Sequence, residues 1–168
     1  MSKTIVLLGG NSSENKDWIE RISRLLPFPT HTVVYEHWKN NAQLINLDTE
    51  VNRLEQLVPT IIFAKSAGIL VTLKGAFERK VSPERCIFAG VPLHWSKKNN
   101  FPLEQWLLNW KIPTTFIQNS HDPAGSVEEL KLLLEECNVK NFKLTTLRGE
   151  THDYPVDEIA KDIKENIS

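Results

Sequence analysis

Apolar residues recur along this chain in two rhythms that take turns. Short β-rich runs at residues 4–8, 32–36, 60–64, 85–89, 114–118 and 142–147 predict strands. Several are continuously apolar rather than alternating, as a strand buried on both faces of a parallel sheet requires. Between them, apolar side chains return at three- and four-residue steps, the spacing of one helix face. The stripes are Trp18, Ile22, Leu25 and Leu26, then Val51, Leu54, Leu57 and Val58, then Ile69, Leu70, Leu73, Ala76 and Phe77. Leu103, Trp106, Leu107 and Trp110 follow; Val127, Leu130, Leu133, Leu134 and Cys137 come next, and Val156, Ile159, Ala160 and Ile163 close the series. Asp48 is placed to cap the second helix, and Ser126 with Glu129 forms a capping box for the fifth.

Strands alternating with helices in this way predict right-handed crossovers and an α/β fold. Its expected form is a three-layer α/β/α arrangement around a mainly parallel six-stranded sheet. Neither repeats nor a linker interrupt the pattern, so residues 1–168 read as a single domain. The longest unassigned stretches, 36–47 and 90–102, read as loops leaving strand C-termini, where ligands bind in open α/β sheets.

Composition narrows the partners. Hydrophobic residues make up 40% of the 168, enough for one substantial core. Lys and Arg number 20 against 21 Asp and Glu, which gives no broad electrostatic reason to hold a phosphate backbone. Nucleic acid is therefore not an expected partner. The most apolar stretch, 61–73, is broken by Lys65, so no membrane span is expected, and no export signal is apparent at the N-terminus. A cytoplasmic location is the expectation. Cys86 and Cys137 lack metal-ligand spacing and read as buried reduced thiols, so neither a metal nor another cofactor is expected.

The third strand runs into Ala64-Lys65-Ser66-Ala67-Gly68, and a helix follows at once. Small–x–Ser–x–Gly between a buried strand and a helix is the context of a nucleophile elbow, whose sharp turn leaves room only for small flanking residues. The simpler reading is a helix N-cap serine. The rest of the chain bears on the choice. An acid, Asp122, follows the fifth strand and a histidine, His152, follows the sixth, so both fall on the sheet edge that carries Ser66. Their order, Ser then Asp then His, is the one such a triad takes on this kind of sheet.

These three segments, Ala64–Gly68, the Asp122 region and Gly149-Glu150-Thr151-His152-Asp153-Tyr154, resemble the motif regions of the α/β-hydrolase superfamily. The similarity runs over essentially the whole length. It is closest in kind to compact single-domain serine hydrolases that lack the first two strands and a cap domain. Ala64 stands where the elbow commonly has glycine. The resemblance implies Ser66 as nucleophile, His152 as base and Asp122 as its orienting acid. It also implies an oxyanion hole from the backbone N–H of Ala67 and one N–H from Gly10-Asn11. A glycine turn capping the first helix is the other reading of that last segment.

Among the remaining candidates, Tyr35-Glu36-His37-Trp38 and His94-Trp95 follow strand ends. His37, Trp38, His94 and Trp95, with Lys65 beside the serine, are the expected substrate-binding residues, plain surface being the alternative. His31 and His121 read as solvated, and Trp106 and Trp110 as core. The expected function is hydrolysis of a small soluble ester or thioester through an acyl-enzyme, by a monomer or homodimer. A hydrolase-fold protein that only binds a ligand or partner, or a flavodoxin-like nucleotide or flavin binder, is the alternative.

Overall fold

A computed structural model describes residues 2–168. Six strands form one parallel sheet: β1 (Ile5–Leu8), β2 (His31–Thr32), β3 (Ile61–Lys65), β4 (Arg85–Ala89), β5 (Thr114–Asn119) and β6 (Phe142–Leu147). Their spatial order is β2-β1-β3-β4-β5-β6. The helices are α1 (Asn15–Leu25), α2 (Glu36–Lys39), α3 (Leu47–Leu57), α4 (Ala67–Phe77), α5 (Leu93–Lys98), α6 (Leu103–Leu107), α7 (Val127–Glu136) and α8 (Val156–Ile167).

The sheet is apolar on both faces because its strands alternate between two cores. Val6, Leu8, Ile62, Ala64, Cys86, Phe88 and Phe116 face α3, α4, α6 and α7. Ile5, Leu7, Ile61, Phe63, Ile87, Ala89 and Ile117 face α1 and α8. A period of two with apolar residues at every position gives the unbroken runs seen in the sequence. The split of helices follows from handedness. The chain steps one way from β1 to β2 and the other way from β2 onward, so right-handed crossovers put α1 and α3 on opposite faces. After β6, α8 returns to pack beside α1. The two directions diverge between β1 and β3, paired with Leu8 opposite Ala64, and a crevice opens at their C-terminal ends.

Several expected boundaries shift, each for a local reason. The strand expected at 32–36 ends at Thr32, with Val33 N–H still donating to the Leu7 carbonyl. Beyond it, side chains of α3 take over the backbone: Arg53 donates to the Val34 carbonyl, and Glu50 accepts from Glu36 N–H and pairs with Arg53. The stretches 36–47 and 90–102 are not loops throughout, since they contain α2 and α5. The second long helix is capped by Asn46, which accepts from Thr49 N–H at 3.0 Å, and not by Asp48, which pairs instead with Lys74. α6 stops before Trp110 because Asn109 turns left-handed at φ 56 and donates to the Cys137 carbonyl. Trp106 and Trp110 are both buried, Trp110 with its indole N–H on Thr114. The Ser126–Glu129 capping box forms as expected. Cys86 and Cys137 are free and buried. Among the described residues, no helix is long and apolar enough to cross a membrane.

Candidate active site

Ser66 alone joins β3 to α4, at φ 50 and ψ −115. A side-chain-bearing residue rarely adopts such a backbone, and here the surroundings enforce it. Ser66 N–H donates to the Ala89 carbonyl on β4, and Gly68 N–H donates to the Gly9 carbonyl after β1, each at 3.1 Å. The Tyr35 hydroxyl donates to the same Gly9 oxygen at 2.7 Å. Gly68 must be glycine: a Cβ there would sit 2.7 Å from Leu8 Cβ and 2.8 Å from the Gly9 oxygen. The chain therefore turns from strand into helix within one residue and leaves the serine at the crevice.

Loops after β5 and β6 bring two groups to it. His152 Nε2 lies 2.9 Å from Ser66 Oγ, and His152 Nδ1 lies 2.8 Å and 3.0 Å from the two oxygens of Asp122. A carboxylate only accepts, so Nδ1–H donates to Asp122 and Nε2 is left to accept from the Ser66 hydroxyl. The Asp122 side chain is fully buried, and burial of a charge demands donors. Ala124 N–H reaches Oδ1 at 2.8 Å, and the Tyr154 hydroxyl reaches Oδ2 at 2.7 Å. Tyr154 also accepts from Asn119 N–H at 3.0 Å. Burial, and then the Asp122 carboxylate, push its hydroxyl above the usual phenol range.

The loop carrying His152 is held by backbone contacts. Asn119 Nδ2 donates to the Thr151 and Asp153 carbonyls, both at 2.9 Å, bracketing the histidine. Gly149 packs against that same Asn119 side chain, and a Cβ on Gly90 would lie 3.1 Å from His152 Cε1. Sequence reasoning assigned no role to Asn119, Tyr154 or Gly90. The signals available were an amide at the very end of β5 and a tyrosine two residues after the histidine.

Ser66 and His152 open onto a cleft of about 890 Å³ at the divergence of the sheet. Gly10, Asn11, Lys65, His94 and Trp95 also line it. Gly10 and Asn11 N–H form no hydrogen bond among the described residues. The N–H of Ala67, the first residue of α4, has no partner within its helix. His37 and Trp38 are neither rim nor plain surface. They lie behind the Gly10-Asn11 turn, His37 buried, and both ring N–H groups meet the Asn11 carbonyl, at 2.6 Å and 2.8 Å. The Asn11 side chain accepts from Ile45 N–H and donates to the Gln43 carbonyl, so the turn is braced from three sides. His31 and His121 are exposed. Among the described residues, no group of three or more His, Cys, Asp or Glu side chains is placed to hold a metal ion.

Neither a protein-family model nor a curated protein matches the chain. Solved structures do match by fold. An uncharacterized protein from Bacillus cereus ATCC 10987 is 15% identical with a TM-score of 0.72, and 99% of this chain covers 59% of that one. Est1E from Butyrivibrio proteoclasticus, solved with ferulic acid bound, is 15% identical with a TM-score of 0.71, covering 99% of this chain and 88% of that one. Zea mays acyl-protein thioesterase 2 is 14% identical with a TM-score of 0.63, over 99% of this chain and 94% of the other. Identities this low carry a shared chain path and leave chemistry to be argued from the site.

Proposed function

We propose that this chain, which has the α/β-hydrolase fold, is a serine hydrolase acting on a small ester or thioester through an acyl-enzyme. One observation carries the reading: Ser66, at a strained strand-to-helix turn, shares a hydrogen bond with His152, whose other nitrogen is held by buried Asp122. A serine hydroxyl attacks a carbonyl usefully only when a base removes its proton as the bond forms. His152 Nε2 is that base, and Asp122 fixes its tautomer and stabilises the imidazolium that results. The N–H groups of Ala67 and of Gly10 or Asn11 receive the charge that develops on the carbonyl oxygen. His152 then returns the proton to the leaving alkoxide or thiolate, and water, activated by the same base, releases the acid. α5, a helix of six residues, lines the cleft through His94, Trp95 and Lys98 and is too short for a separate lid, which suits small, water-soluble substrates.

Labelling with a fluorophosphonate, followed by turnover of p-nitrophenyl acetate, tests the reading. The wild-type protein should be labelled and Ser66→Ala should not. Alanine at Ser66, Asp122 or His152 should each lower turnover on the order of 10⁴-fold, and combined replacements little further, because the three act as a unit. Labelling without turnover of any ester would indicate a protein that only binds. Near-wild-type turnover by Asp122→Ala would remove Asp122 from the assignment.

A further inference from the structure

Lys65 ends β3, directly before Ser66, and its side chain differs from every other charged one lining the cleft. Glu14, Asp17, Arg21, Lys98 and Asp153 are exposed, whereas Lys65 is only 9% exposed. No carboxylate pairs with it among the described residues. Its Nζ lies 3.3 Å from Asn15 Oδ1, a long hydrogen bond, and 5.4 Å from the centre of the Trp18 ring. Asn15 and Trp18 both line the cleft, so the ammonium head is set into its α1 wall. Burial pushes the Lys65 ammonium below the usual lysine range, while Asp153 and Asp122 act in the opposite direction from a distance.

An ammonium has three donors, and a neutral amide with a ring face uses them incompletely. Holding an unpaired charge out of water is unfavourable unless something completes its coordination. Asn15 cannot move closer freely, because its own Nδ2 donates to the Ser12 carbonyl and its amide packs against Gly10. Lys65 itself lines the cleft, where an anion can complete the coordination.

We infer that Lys65 is a specificity-determining residue: its ammonium binds a carboxylate, or an equivalent anion, carried by the substrate on the α1 side of the cleft. The inference rests on the hydrolase reading above and adds the substrate's charge to it. The adjacency of Lys65 to Ser66 ties anion recognition to the reacting carbonyl, so a substrate paired with the ammonium is held at the nucleophile rather than merely attracted to the protein.

Two pairs of esters test this, one with the charge on the acyl group and one with it on the leaving group. The first is mono-4-nitrophenyl adipate and its methyl-capped twin. The second is 4-acetoxybenzoate and its methyl ester. The quantity read is the ratio of kcat/KM, charged over uncharged, after normalising to the alkaline hydrolysis rates of the same compounds. In wild type at least one pair should favour the charged member, and that ratio should fall about tenfold or more in Lys65→Met. Which pair responds tells which side of the scissile bond carries the anion. Wild type without a preference in either pair overturns the inference, and that measurement needs no variant to fold. A preference that survives both Lys65→Met and Lys65→Gln overturns it equally. Fluorophosphonate labelling separates the two levels. If Ser66 is not labelled, the hydrolase reading falls and takes this inference with it; if Ser66 is labelled but charge is ignored, only this inference falls.

Discussion

Ser66 holds a backbone conformation at φ 50 that side-chain-bearing residues avoid, at a cost of order 1–3 kcal/mol. Glycine removes most of that strain, and nothing in the hydrogen bonding of Ser66 N–H to Ala89 needs a side chain. Ser66→Gly should therefore abolish fluorophosphonate labelling and raise stability by about 1–2 kcal/mol, roughly 2–8 °C in Tm for a chain of this size. Ser66→Ala, which keeps a Cβ, should lose labelling without that gain. Calorimetry on the two variants checks the difference. Gly68 presents the reverse case. A methyl there meets backbone oxygen and Leu8 Cβ, neither of which can swing aside, so Gly68→Ala should destabilise by about 1–3 kcal/mol, read by urea denaturation.

Among the elements, α5 and α7 are joined by a side-chain pair. His94 Nε2 meets Glu129 Oε1 at 2.8 Å, and Nδ1 meets the Pro123 carbonyl at 2.9 Å. Glu129 first, then Pro123, raise the His94 imidazole above the usual histidine range, while Ser126 N–H and then His94 hold Glu129 below the usual carboxylate range. A histidine raised on folding contributes stability below its unfolded value, about 6.5, and loses it as pH rises through the folded one. A lowered glutamate contributes above about 4.3 and loses it as pH falls. The pair thus acts most between those two values. Both side chains are about half exposed, at 55% and 47%, so solvent screens them. His94→Gln should cost no more than about 1 kcal/mol at pH near 5.5 and nothing measurable in mildly alkaline solution, by denaturation at the two pH values. Elements with long periodic stripes were legible from the sequence: β4 and β6 fall at their expected bounds, and α7 carries its expected cap. α2 and α5 were not, because helices of four and six residues show no full stripe and are held by partners distant in sequence. The site divides the same way. Ser66, Asp122 and His152 stand at strand ends that periodicity reveals. The bracing of Asn11 by His37 and Trp38 depends on a turn meeting a helix 26 residues away, which no local pattern encodes.

At the scale of the whole molecule, the hydrogen-bonded line from Ser66 to Asp122 draws on three strands, β3 in the middle, β5 beside the edge, and β6 at the edge. β3 is paired on both sides and wholly buried, whereas β6 has one neighbour and no fully buried residue. An edge strand has a neighbour on one side alone and opens more readily than one paired on both, so the histidine follows an edge strand and the serine one of the most protected. The two ends of one hydrogen bond thus belong to regions that should loosen at different temperatures. On warming, labelling of Ser66 by a fluorophosphonate should decline before the far-ultraviolet dichroism melts, and β6 amides should exchange with deuterium before those of β3. Coincident curves would mean that the sheet opens only as a whole. If they separate, the serine hydroxyl acts as a thermometer for the edge of its own sheet, and the protein falls silent while most of it is still folded.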